Sequence, residues 1–191
     1  MSDVTVCIPS IPPRAKLLER AMRSVAAQSH PVVAVSVALD VAKEGAATTR
    51  NRALAGARTE WVVFLDDDDE LHVPFVERCL AHADETGADV VFPWFDVIGG
   101  SDPFPCNRGV RFDPERPHSF PITTLVRRSC AEAVGGFPYV GMGPPGEIAA
   151  GEDFRFWILM GQSGARVEHL DEVLWSWHHD SGNVGGRPDR W

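Results

Sequence analysis

Residues 59–71 read TEWVVFLDDDDEL. An apolar run from Trp61 to Leu65 passes directly into four aspartates, Asp66 to Asp69, and then Glu70. The first part has the composition of a strand buried on both faces, as in parallel sheets. The second part places like charges at that strand's carboxyl end, where open α/β sheets collect their ligands. Two readings follow. A solvated turn leading into a helix would hold such acids, because carboxylates suit a helix N-terminus. A cation site would use them, because clustered carboxylates select hard divalent ions with oxygen ligands, chiefly Mg²⁺ or Mn²⁺. An EF-hand is excluded, since its glycine and glutamate spacing is missing.

Outward from this stretch, strand and helix patterns alternate. VTVCIP (4–9) reads as a first strand and PVVAVSVALD (31–40) as a second, apolar enough to lie inside a parallel sheet. RAKLLERAMRSVAAQ (14–28) carries Leu17, Leu18, Met22 and Val25 at helical spacing. ATTRNRALAGA (47–57) and PFVERCLAHADETG (74–87) read as two more helices, and ADVVFPWF (88–95) as a fourth strand. This alternation predicts βαβ units and a mainly parallel sheet flanked by helices. Asp40 and the acid run, both at strand carboxyl ends, should then share one rim.

Beyond Phe95 the chain becomes rich in Pro, Gly and polar residues. ITTLVRR (122–128) is a candidate strand, SCAEAVGGF (129–137) a short helix, and GMGPPGEIAAG (141–151) a glycine-hinged loop able to close over a ligand. EDFRFWILMGQSG (152–164) reads as a helix, and the tail from Val173 begins as a strand. We expect one domain, with residues 1–95 as a nucleotide-binding half and 96–191 as an irregular second half.

The totals narrow the function. A formal net charge of −9 disfavours polymeric nucleic acid and anionic membrane as partners. No apolar run approaches the ~20 residues of a membrane span, and MSDVTVCIPS lacks the regions of a signal peptide. Cys7, Cys79, Cys106 and Cys130 are scattered without a CxxC pair, the usage of reduced thiols in a cytoplasmic protein.

Six motifs taken in order resemble family 2 glycosyltransferases of the GT-A fold: VTVCIPS, SVAAQSH, TTRNRAL, the acid run, AVGGFP and GEDFRFWILMGQSG. The resemblance implies a metal-dependent, inverting transfer of a sugar from a nucleoside diphosphate sugar to a hydroxyl acceptor it does not identify. It implies that Pro9, Ser10, Arg14, Asp40, Arg50, Asn51, Asp66 and Asp67 lie around the nucleotide sugar, and that Asp96 contacts the sugar. It implies Asp68 as the direct ligand of Mn²⁺ or Mg²⁺, with His179 or His178 as a further ligand. Asp153 is the implied catalytic base, with Glu152 beside it. The chain departs from the family where IPSIPPR has Ile11 and Pro12 in place of the common Tyr-Asn, and where Asp40 lacks a following Asp-Gly-Ser. The rival readings are a nucleotidyltransferase and a non-catalytic sugar-nucleotide or carbohydrate-binding module. The first normally needs a glycine-rich loop after its first strand, which IPSIPPR lacks; the second has no need of a base.

Overall fold

The computed structural model describes residues 2–116, 121–139 and 151–179. Strand β1 (Val4–Ser10) is flanked by two parallel neighbours, β2 (Ala34–Leu39) and β3 (Trp61–Phe64). Helix α1 (Ala15–Ala26) follows a 3₁₀ turn at Pro12–Arg14, and α2 (Ala46–Gly56) links β2 to β3. The acid run leads to a two-residue strand β4 (Glu70–Leu71), then α3 (Phe75–Thr86) and β5 (Val90–Ile98). The second half supplies β6 (Leu125–Arg127), α4 (Arg128–Ala133), α5 (Glu152–Gln162) and β7 (Val167–His178).

All seven strands form one sheet in the order β2-β1-β3-β6-β5-β7-β4. It is mixed: β5 pairs parallel with β7, while β6 runs antiparallel to β3 and β5, and β4 antiparallel to β7. The parallel β1–β2–β3 unit is the one that alternation in the sequence announces. The strand expected in ITTLVRR is β6, inserted between β3 and β5. The tail strand is longer than its apolar part, beginning at Val167.

Each face of the sheet is covered. Val4, Val6 and Ile8 of β1 pack with Ala21 and Val25 of α1 and with Phe75, Cys79, Leu80 and Ala83 of α3. On the other face, Cys7, Val62 and Phe64 pack with Ala53 and Leu54 of α2 and Phe156, Trp157 and Met160 of α5. Four-residue β3 is buried on both sides, as its composition requires.

Strand β2 departs from expectation. It is an edge strand, and Val35, Val37 and Leu39 are exposed. Apolar β-branched residues report that a segment suits a pleated strand; they do not report how many neighbours it will have. Helix α1 packs over β1 and toward β4, which leaves the outer valines of β2 uncovered.

A polar stripe on α1 anchors the exit of the acid run. Ser24 Oγ accepts a hydrogen bond from the Leu71 backbone N (3.0 Å). Gln28 Nε2 donates to the His72 carbonyl (2.8 Å), and its Oε1 accepts from the Val76 N (3.0 Å). SVAAQ is therefore a clamp: Val25 packs inward while Ser24 and Gln28 hydrogen-bond the backbone of β4 and of the first turn of α3. Removing the Gln28 side chain takes the acceptor from the Val76 N and leaves the His72 carbonyl only its bond from the Phe75 N (3.0 Å), so Gln28→Ala should lower stability by about 1–3 kcal/mol in urea unfolding. A loss within a few tenths of a kcal/mol would rule out the clamp.

Candidate active site

The acid run lies where β3 ends, and its aspartates have different partners. Asp67, Asp68 and Asp69 are almost fully buried, while Asp66 is partly exposed. Ser10, at the end of β1, donates its hydroxyl to Asp67 Oδ2 (2.6 Å). Arg14, at the end of the 3₁₀ turn, donates through Nη1 to Asp67 Oδ1 (2.9 Å) and to Asp68 Oδ2 (3.0 Å). Arg20 of α1 donates to the Asp68 carbonyl, and the His178 backbone N donates to Asp69 Oδ1 (3.0 Å). Asp66 faces Arg50 of α2, whose Nη2 reaches both of its oxygens (2.7 and 3.1 Å).

Burial and mutual repulsion raise the carboxyls of Asp67, Asp68 and Asp69. Burial first, and then the charge of Asp66, pushes Asp68 up from 3.8 to about 7. Asp69 is raised well above the usual carboxylate range by the same causes, and Asp67 is raised by burial against the pull of Ser10 and Arg14. Asp66, Asp68 and Asp69 each offer one oxygen, all within 4.8 Å of one another. Three convergent carboxylates, of which Asp68 and Asp69 are costly to ionise as they stand, fit a hard divalent cation, which would favour the ionised form. The site can therefore hold a divalent metal.

Arg50 joins the acid run to the second half of the chain. Its guanidinium is buried between Asp66 and Glu152, which stands at the first position of α5 and pairs with Nη1. Burial works against the charge of Arg50, but Asp66, Glu152 and Asp153 hold its pKa above the ordinary arginine value. Asp153, the next residue of α5, accepts a hydrogen bond from the Phe154 N (2.7 Å). Burial raises its pKa too, against the opposing charge of Arg50. Gly151 precedes this pair for a steric reason: a Cβ there would stand 2.5 Å from Asp153 Oδ1.

Asn51, next to Arg50, makes a second joint. Its Nδ2 donates to the Phe137 carbonyl and its Oδ1 accepts from the Phe137 N, both at 2.8 Å. Gly136 has φ +74, and a Cβ there would lie 2.3 Å from Asn51 Oδ1. The glycine of AVGGFP is thus required by both backbone conformation and space.

Other expected site residues have other surroundings. Asp40 is buried at the end of β2, and its two oxygens accept from the Glu44 N (2.8 Å) and Gly45 N (2.7 Å), shaping the turn into α2. Pro9 lies within β1 opposite Ala38. Asp96 is half exposed, 3.5 Å from His72 Nε2. His178 Nε2 lies 2.8 Å from Glu70 Oε1, and the aspartate group that could hold a metal includes neither it nor His179. The ring of His179 lies edge-on to Trp177 and lines the space above Gly100. The loop expected at 141–151 lies, but for Gly151, outside the described residues. The sequence reading missed Arg20 and Glu70. For Arg20 a signal was present: Arg20, Ser24 and Gln28 recur every four residues along α1 and just past its end.

A mixed sheet flanked by helices, with acids at one carboxyl rim and an Asp-bearing helix N-terminus tied to it, is a GT-A-like architecture. The sequence profile of glycosyl transferase family 2 matches residues 35–126. No curated protein matches the sequence. Among solved structures, S. aureus TarS 1–349 in complex with UDP-GlcNAc is similar, with a TM-score of 0.76 and 19% identity over 95% of this chain and 60% of that one. The complex of TarS 1–349 with UDP gives 0.74 and 19% over 93% and 61%. S. aureus TarS in a longer form gives 0.75 and 18% over 94% and 37%. The chain thus spans about 60% of the TarS 1–349 length. The family 2 profile covers just under half of the chain.

The raised carboxyls carry a pH signature. The folded chain holds these protons more tightly than the unfolded chain, so their contribution favours folding at low pH and is lost as pH climbs through about 7 for Asp68. A divalent cation competes with the same protons. The rise in Tm on adding Mn²⁺ to EDTA-treated protein should therefore be larger at pH 8 than at pH 5, and Asp68→Asn should remove most of the difference. An equal rise at both pH values would contradict these aspartates as the ligands.

Proposed function

We propose that the chain is a metal-dependent, inverting glycosyltransferase that moves a sugar from a nucleoside diphosphate sugar to a hydroxyl acceptor. The observation that carries this reading is Arg50. It ties Asp66 of the acid run to Glu152, so a cation site and a half-buried carboxyl at Asp153 belong to one network. A binding module would have no use for the second element. The UDP-GlcNAc held by TarS makes a uridine diphosphate sugar the first donor to test.

In this reading Asp68 is the main anchor of a Mn²⁺ or Mg²⁺ ion, with Asp66 and Asp69 close enough to contribute. When bound, the ion supplies Lewis-acid stabilisation of the negative charge gathering on the departing diphosphate. Ser10 and Arg14 hold the acid run in position from the β1 side, at the rim where a nucleotide would lie. Asp153 takes the proton of the acceptor hydroxyl as its oxygen bonds to the sugar carbon and the bond from that carbon to the diphosphate breaks. Burial raises the carboxyl of Asp153, so its carboxylate is a stronger base than an exposed aspartate. Arg50 limits that rise and keeps the carboxylate available. Attack opposite the leaving group inverts the anomeric centre. Residues 1–95 would hold the donor and 96–191 the acceptor. No helix among the described residues is long and apolar enough to cross a membrane. The four cysteines are unpaired, and we assign a cytoplasmic location on that ground.

Purified protein should release nucleoside diphosphate from one member of a panel of UDP-, GDP- and dTDP-sugars in the presence of Mn²⁺. EDTA or Asp68→Ala should abolish release. Asp153→Asn should lower kcat by about 10²–10⁴-fold while donor Kd changes little. If calorimetry finds no member of the panel bound with metal present, the reading is wrong.

A further inference from the structure

Three arginines meet the acid run, Arg14 and Arg50 at its aspartate carboxylates and Arg20 at the Asp68 carbonyl and Glu70. Arg50 is tied at both ends, to Asp66 and to Glu152. Arg14 has one nitrogen between Asp67 and Asp68, at 2.9 and 3.0 Å. It projects from the junction of the 3₁₀ turn and α1, with its side chain 13% exposed against 8% for Arg50. The two acids it bridges do not depend on it equally. Asp67 keeps the Ser10 hydroxyl at 2.6 Å if Arg14 leaves. Asp68 then turns a carboxylate oxygen over to whatever cation is nearest, and it is one of the three residues that can converge on a metal.

We propose that Arg14 is a resident cation of the metal site, a guanidinium that a divalent ion must displace from Asp68, and that this exchange makes metal loading depend on the donor diphosphate. A positive group within bonding distance of a metal ligand opposes the ion by charge and by occupying a lone pair. A diphosphate relieves both costs. It supplies oxygen ligands to the ion and offers the freed guanidinium a bidentate anion in place of Asp68. Metal and nucleotide then bind with positive coupling, and by linkage each tightens the other by the same factor. The donor half of this argument rests on the proposed function; the exchange between Arg14 and the ion does not. Arg14 is a positioning residue here, acting through Asp68.

The test is Mn²⁺ binding to EDTA-treated protein, read from the free-ion EPR signal, with and without UDP. In the wild type, binding should be weak alone and tighten at least tenfold with UDP. Arg14→Gln should bind Mn²⁺ alone about ten- to a hundredfold more tightly than the wild type, and the gain from UDP should shrink. Arg14→Lys keeps a charge beside Asp68 and should stay near the wild type, which separates the effect from loosening of the fold. Arg20→Gln removes a neighbouring charge that bonds the Asp68 carbonyl and leaves the carboxylate covered; its effect should be smaller than that of Arg14→Gln. Unchanged or weaker Mn²⁺ binding in folded Arg14→Gln would overturn the proposal, as would equal effects of Arg14→Gln and Arg20→Gln. If Arg14→Gln tightens Mn²⁺ as expected but UDP alters neither protein, the exchange stands and the sugar-nucleotide reading fails.

Discussion

Four adjacent aspartates at the end of a buried strand repel one another, and every other feature of the site follows from how that repulsion is contained. Water cannot do it, because Asp67, Asp68 and Asp69 have almost no exposed surface. Guanidinium groups do part of it. Arg14 covers Asp67 and Asp68 from the β1 side, Arg50 covers Asp66 from α2, and Arg20 takes the Asp68 carbonyl. Backbone and hydroxyl donors add to it, from His178 to Asp69 and from Ser10 to Asp67. Burial first, and then the repulsion that remains, is visible in the raised carboxyls of Asp68 and Asp69. A site left in that state is poised for a cation, and burial keeps the interaction strong by excluding water.

The same containment connects the two parts of the chain. Helix α2 carries Arg50 and Asn51 side by side, and the two side chains reach separate segments of the second half. Arg50 meets the first turn of α5, and Asn51 meets the backbone at Phe137. Gly136 and Gly151 make room for these contacts, because a methyl group at either would collide with Asn51 or Asp153. Arg50 and Asn51 thus act as joints between parts of the protein in this structure. The clamp formed by Ser24 and Gln28 has the same logic on the other flank, where it sets the position of the chain leaving the acid run.

Much of this architecture was legible without coordinates. The alternation of strand and helix up to Phe95 is local, since side-chain periodicity and turn residues act over a few positions. The acid run, the GGF turn and the ED pair could be recognised as motifs because each is a short string of residues. The location of β2 was not legible. Its valines satisfy strand formation whether the strand is central or at an edge, and only the packing of α1 over β1 leaves them exposed. Glu70–Leu71 is too short to announce a strand, and it exists because β7 pairs with it. The resemblance pointed to the two late histidines as metal ligands, and no motif announces that His178 sets its ring against Glu70 and donates its backbone N–H to Asp69.

The sequence by itself determined the local elements of the first half, the placement of acids at a strand's carboxyl end, and an order of motifs that resembles family 2 glycosyltransferases. Tertiary structure alone decided which cation faces which acid. Arg14 and Asp68 are 54 positions apart, and Arg50 and Glu152 are 102 apart. No periodicity or spacing relates residues so distant, because their meeting depends on strand order, helix packing and the shared rim of the completed sheet. Charge pairing at that range is a consequence of the fold, and it converts a run of mutually repelling aspartates into a site that can hold a metal.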